Sequence, residues 1–119
     1  MNVTYTITKH NSVQVLSINT LRDEWQNRQI LKELQHKIDK GAKEFVIDLA
    51  PLNLMNSIGL NFLLSLFSKT RKTGGALILA NVSQHIQSVL EITKLSNVFN
   101  IQPTVKHAIE SFSMDLVPA

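Results

Sequence analysis

The sequence predicts an α/β domain built on a mostly parallel central sheet, and three observations carry that prediction. Short continuous apolar runs, Phe45-Val46-Ile47-Asp48-Leu49 and Ala76-Leu77-Ile78-Leu79-Ala80, read as strands buried on both faces. Segments with apolar residues at helical spacing lie before and after them. Glycine or proline punctuates these segments, so strands and helices alternate, which implies parallel pairing through right-handed crossovers.

Taken in order, Thr4 to Thr8 and Ser12 to Ile18 are strands, the second alternating Val13, Val15 and either Leu16 or Ile18. His10-Asn11-Ser12 supplies the turn of a hairpin between them. A polar connection runs from Asn19 to about Gln26. Then Ile30, Leu31, Leu34 and Ile38 recur at helical spacing, with Gly41 as the stop. The strand at Phe45–Leu49 follows, then a loop marked by Pro51 and Asn53. A second helix spans about Ile58 to Thr73 and stops at Gly74-Gly75. After the Ala76–Ala80 strand, Gln84 to Thr93 forms a third helix with Ile86, Val89, Leu90 and Thr93 on one face. Val98 to Ile101 is the last strand, and Pro103 opens a fourth helix through Phe112. The order is β-β-α-β-α-β-α-β-α, about five strands, with residues 1–113 as a single domain and 114–119 as a loose tail.

The bulk composition narrows the function. At 119 residues the chain fits one domain. There is no cysteine, which excludes disulfides, thiolate metal sites and cysteine nucleophiles. No apolar run approaches the ~20 residues of a membrane span, and Met1 to Lys9 lacks the apolar stretch of a signal peptide. A cytoplasmic protein without membrane insertion is therefore expected. The net charge of +3 hides an interleaving of cations with acids, and the only tight basic group is Lys69, Arg71 and Lys72. A nucleic-acid binder usually shows a denser stripe with stacking aromatics, so this group reads as a solvated helix end.

Three features between Phe45 and Phe112 carry a family resemblance. The first is a strand ending in an acid, then Leu54-Met55-Asn56-Ser57-Ile58-Gly59-Leu60, a small polar pair shortly before Gly-Leu and an apolar helix. The second is Gly74-Gly75, a strand, and a Val82-Ser83 start to the next helix. The third is Leu90-Glu91-Ile92-Thr93-Lys94-Leu95 leading to Val98-Phe99. In this order and spacing they resemble the STAS family, and in particular bacterial anti-sigma factor antagonists. The resemblance covers a little over half the chain; the N-terminal strands match by pattern only. It implies the STAS fold, with helices packed mainly on one face of the sheet.

The start of the second helix can be argued from chemistry alone. Asn56 and Ser57 are good N-cap types for the unpaired N–H groups of a first turn. Gly59, without a side chain, lets that turn approach a neighbouring element. At about 100° per residue, Gly59, Leu60, Leu63, Leu66 and Phe67 share the side expected to face the sheet. Asn61, Ser65, Ser68 and Lys72 share the other, Ile58 falls among them, and Phe62 lies at their edge. Two apolar side chains beside an exposed polar stripe suggest a contact patch.

In the family this region docks onto an anti-sigma factor that is also a serine kinase. The kinase phosphorylates a Ser or Thr directly before the motif glycine, and the added charge breaks the interface. The resemblance therefore implies a protein-binding surface at Asn56, Ser57, Ile58, Gly59, Asn61, Phe62 and Ser65. The sequence departs from the pattern at the switch. Ile58 stands where the acceptor hydroxyl belongs, Asn56 replaces the usual acid, and Asn19-Thr20-Leu21-Arg22-Asp23 follows the family's first loop only loosely. Three outcomes are compatible with this: constitutive binding with an apolar contact at Ile58, phosphorylation displaced to Ser57, or departure from partner switching. Binding without phosphorylation at position 58 is the reading favoured.

An enzyme is not expected. His10, His36, His85 and His107 lie on a turn and three helices, and no two stand at metal-ligand spacing, so they read as surface residues. Asp48 ends a buried strand, where α/β sites gather, but only Ser57 lies near it in sequence as a further reacting group. Asp48 is expected to bond loop backbone instead. No cofactor or metal is implied. Trp25 fits either a loop anchor or an interface. Two alternatives stay open: an accessory subunit of a lipid-transport ATPase, which such domains also serve, and a small-molecule or nucleotide sensor using a pocket beside Asp48 and Ser57. A homodimer is compatible with all of these readings.

Overall fold

A computed structural model of the chain describes residues 5–20, 24–52 and 55–115. Thr4, the Leu21-Arg22-Asp23 stretch, Asn53, Leu54 and residues 116–119 lie outside the described residues.

The hairpin forms where turn chemistry placed it. Strand β1 (Tyr5–His10) pairs antiparallel with β2 (Val13–Ile18), His10 opposite Val13, leaving Asn11 and Ser12 as the loop. Asn11 has φ 57°, the positive value that a two-residue hairpin turn requires and that Asn tolerates. Helix α1 (Glu24–Asp39) follows, then β3 (Glu44–Asp48), α2 (Ser57–Lys72), β4 (Ala76–Ala80) and α3 (Gln84–Ile92). A 3-10 turn at Leu95–Asn97, β5 (Asn100–Gln102) and α4 (Val105–Asp115) complete the chain. The strands stand in sequence order in one sheet, with β2, β3, β4 and β5 parallel.

Both glycine stops work by one mechanism. Gly41 and Gly74 take φ of 102° and 78°. In each case the glycine N–H and the next N–H donate to carbonyls of the last turn: Gly41 to Ile38 and Ala42 to Lys37, Gly74 to Arg71 and Gly75 to Thr70. The left-handed residue turns the chain sharply into the next strand.

Alternation along the strands divides the core. Leu16, Ile18, Phe45, Ile47, Leu77 and Leu79 point to one face and are covered by Ile30 and Leu34 of α1, Leu63 and Leu66 of α2, and Ile86 and Leu90 of α3. Val13, Val15, Val46, Ile78 and Ala80 point to the other, where Ala108 and Phe112 of α4 cover them. Three helices on one face and one on the other match the packing mainly on one face that was expected. At β1, Tyr5 donates its hydroxyl to Glu33 Oε1 at 2.8 Å, and partial burial together with that carboxylate holds the phenol above its ordinary range.

Of the boundaries that differ from the sequence reading, three have a clear physical reason. Helix α1 begins at Glu24, inside the expected polar connection, because two of its polar residues are core residues: Gln26 and Asn27 are buried, and Gln26 Nε2 donates to the Thr20 carbonyl at 2.7 Å. The last strand begins at Asn100 rather than Val98, since the 3-10 turn carries Phe99 into the core ahead of it. Helix α4 runs on to Asp115, so residues 114 and 115, assigned to a loose tail, are helical; no breaker intervenes before Pro118.

Candidate functional site

Helices α1, α2 and α3 start just beyond the carboxyl ends of β2, β3 and β4, so their first turns lie at one end of the sheet. At this end Asp48 closes β3. Its Oδ1 accepts from the Ala50 N–H at 3.0 Å and from Asn81 Nδ2 at 3.0 Å. The expected bond to loop backbone is present, and a second bond ties the loop to the residue after β4.

Asn56 caps α2 as its residue type allows. Its backbone is extended, and Oδ1 accepts from the Gly59 N–H at 3.1 Å. Gly59 is buried in the first turn, while Asn56 and Ser57 are exposed and Ile58 is half-buried. The sequence near this terminus carries neither a lysine nor a glycine-rich loop of the kind that cradles phosphates.

Ile58 lies in a groove between α1 and α2. The groove, of about 200 Å³, is lined by Glu24, Asn27, Arg28 and Leu31 from α1 and by Ile58, Asn61, Phe62 and Ser65 from α2. Its chemistry is an apolar centre of Leu31, Ile58 and Phe62, amides and a hydroxyl around it, and one charge of each sign on the α1 side. Trp25, on the first turn of α1, is 64% exposed.

Of the seven candidate residues, the structure brings Ile58, Asn61, Phe62 and Ser65 into the groove, with Asn56, Ser57 and Gly59 forming the start of the same helix. Phe62 corrects the helical wheel: it is 3% exposed and belongs to the core. Packing of α1 against α2 covers the edge position, so Phe62 is the floor of the groove rather than an exposed contact. The α1 residues of the lining went unnoticed in the sequence. Their signal is weak, because Glu24, Asn27 and Arg28 are polar and lie about thirty residues upstream of the motif. Neither Asp48 nor Ser57 lines this groove. All four histidines are exposed, and among the described residues no group of three His, Asp or Glu could hold a metal. No described helix is long and apolar enough to cross a membrane.

Comparison with known proteins gives concordant findings. The model of the STAS domain matches residues 4–108. A Bordetella bronchiseptica protein named "Putative anti-sigma factor antagonist BtrV" is 30% identical over 88 residues, covering 74% of this chain and 76% of that protein. Among solved structures, an anti-sigma factor antagonist from Mycobacterium paratuberculosis superposes with a TM-score of 0.76 at 21% identity, covering 91% of this chain and 92% of that one. The unphosphorylated form of the antagonist SpoIIAA gives 0.77 at 20% identity, covering 96% and 99%. SpoIIAA, a Bacillus cell fate determinant, is also known in a phosphorylated form, which gives 0.72 at 20% identity over 91% and 98%.

Proposed function

Because the chain belongs to the STAS domain family, we propose that it is a non-enzymatic antagonist that binds an anti-sigma factor with serine-kinase activity through the start of α2. The binding surface is the exposed first turn at Asn56 and Ser57 together with the α1–α2 groove, and Trp25 anchors its rim. One observation carries the reading: at the position before the motif glycine stands Ile58, half-buried at the mouth of that groove.

A hydroxyl there would be a switch, since a phosphate adds about −1.5 to −2 charges inside a close-packed interface. An isoleucine offers no acceptor and adds apolar contact to the groove, so binding is not relieved by modification at this residue. In this reading Ser57 is an exposed helix-start residue and not a displaced acceptor, and the protein works in the cytoplasm.

The test is capture from the native cytoplasm with the wild type, Ile58→Ser and Ile58→Glu in parallel. The wild type should retain an anti-sigma factor with a kinase fold, and the glutamate variant should lose it. Retention of a transporter ATPase instead, or equal behaviour of all three baits, would sink the proposal.

A further inference from the structure

We propose that the end of the molecule opposite this docking surface is a basic face that seats peripherally on an anionic phospholipid surface, without insertion of any helix. This end collects the carboxyl termini of α1, α2 and α3 and the starts of β3 and β4. Lys37, Lys40 and Lys43 come from the end of α1 and the loop after it, and Lys69, Arg71 and Lys72 from the last turn of α2. With Lys9 near the end of β1 and Lys94 after α3, eight of the chain's twelve Lys and Arg stand here. Four of its nine Asp and Glu positions, 39, 44, 91 and 115, belong to the same end of the fold. The end therefore carries a net charge of about +4, while the rest of the sequence sums to about −1.

Three of these carboxylates, at 39, 44 and 91, bond neutral partners. Asp39 accepts from Gln35 Nε2 at 2.9 Å, Glu44 from Ser12 Oγ at 2.8 Å and Glu91 from Gln87 Nε2 at 3.1 Å, all neutral donors. Complementing helix dipoles explains cations in last turns, but not Lys43 in a loop or Lys9 on a strand. The basic segments are also held together. The Ala76 N–H donates to the Lys43 carbonyl at 2.7 Å, and a Cβ on Gly75 would lie 2.5 Å from that same oxygen, so the two loops touch. Lys69 Nζ donates to Gln35 Oε1 at 3.2 Å, joining α2 to α1.

Two apolar side chains share this end. Ile92, the last residue of α3, is 81% exposed, and Val98 is 43% exposed and lines a hollow of about 310 Å³ with Arg71. Cations with a few protruding aliphatic groups suit an anionic headgroup layer, which attracts each lysine or arginine and accepts the apolar tips at its boundary. The cations come from four separate segments spread over one end, and of them only Arg71 lines the hollow, so they match a flat field of charge better than a shaped acidic peptide. Nucleic acid is disfavoured because the exposed aromatic, Trp25, lies at the other end. Seated this way, the α2 docking surface faces away from the membrane and stays free.

The test is co-sedimentation of the full chain with mixed phosphatidylcholine–phosphatidylglycerol vesicles and with pure phosphatidylcholine vesicles, at low and high salt. Binding is expected to the mixed vesicles only, and to vanish at high salt. The Lys43→Glu/Lys72→Glu double variant should weaken it by at least about thirtyfold. Ile92→Ser, at a strongly exposed position, should weaken it several-fold with an unchanged circular dichroism spectrum. No binding to the mixed vesicles at low salt would overturn the proposal, as would equal binding by the double variant. Tighter binding to duplex DNA or poly-glutamate, or release by inorganic phosphate at constant ionic strength, would also overturn it.

Discussion

Helices α2 and α3 start in the same way but bury their first isoleucines differently. Both leave neighbouring parallel strands at the same end of the sheet, and both are capped by a short polar side chain. Asn56 Oδ1 accepts from the Gly59 N–H at 3.1 Å, and Ser83 Oγ from the Ile86 N–H at 3.2 Å. The residues just inside differ. In α3 the isoleucine three positions after the cap, Ile86, has no exposed surface and belongs to the core. In α2 the isoleucine two positions after the cap, Ile58, is half-buried at a groove. One residue of displacement, about 100° around a helix, moves the same side chain from the core to a surface. The caps are alike, and in the proposed reading the difference between the two starts lies in Ile58.

Substitutions can break that comparison. Ile86→Ala should cost about 3 kcal/mol in denaturant unfolding, since it empties a site in the three-helix core. Ile58→Ala should cost under about 1 kcal/mol in the same measurement. Equal losses would make Ile58 a core residue and end the contrast. Ile58→Glu should leave the fold intact yet weaken partner binding by about 2 kcal/mol or more, measured by titration calorimetry. Ile86 lies away from the groove, so the surviving folded fraction of Ile86→Ala should bind with near wild-type affinity. The smallest effects sharpen the shared part: Asn56→Ala and Ser83→Ala should each lower stability by about 1 kcal/mol. A much larger loss at Asn56 would mean that its side chain holds more than the cap.

Most of the fold was legible in the sequence, and of the candidate groove only its α2 side. Continuous apolar runs made β3 and β4 legible, and glycine stops marked the ends of α1 and α2, because each rests on local chemistry. The start of α1 was hidden because Gln26 and Asn27 are polar residues in core positions, and only the folded chain supplies the Thr20 carbonyl that Gln26 bonds. The burial of Phe62 depends on α1 lying against α2, which a single helical wheel does not contain. For the same reason the cap at Asn56 and the departure at Ile58 could be read locally, whereas the contribution of Glu24, Arg28 and Leu31 to the groove could not. The basic end was read as one helix terminus, since Lys37, Lys43 and Lys94 meet it only through the topology of the sheet.

The central claim is that position 58 binds and does not switch. The most direct measurement is phosphopeptide mass spectrometry of the wild type and Ile58→Ser after incubation with the captured kinase and ATP. The serine variant should gain one phosphate at position 58 and lose affinity for the kinase, while the wild type stays unmodified and bound. A phosphate on Ser57 of the wild type, accompanied by release, would contradict the account by showing that the switch was moved and not lost.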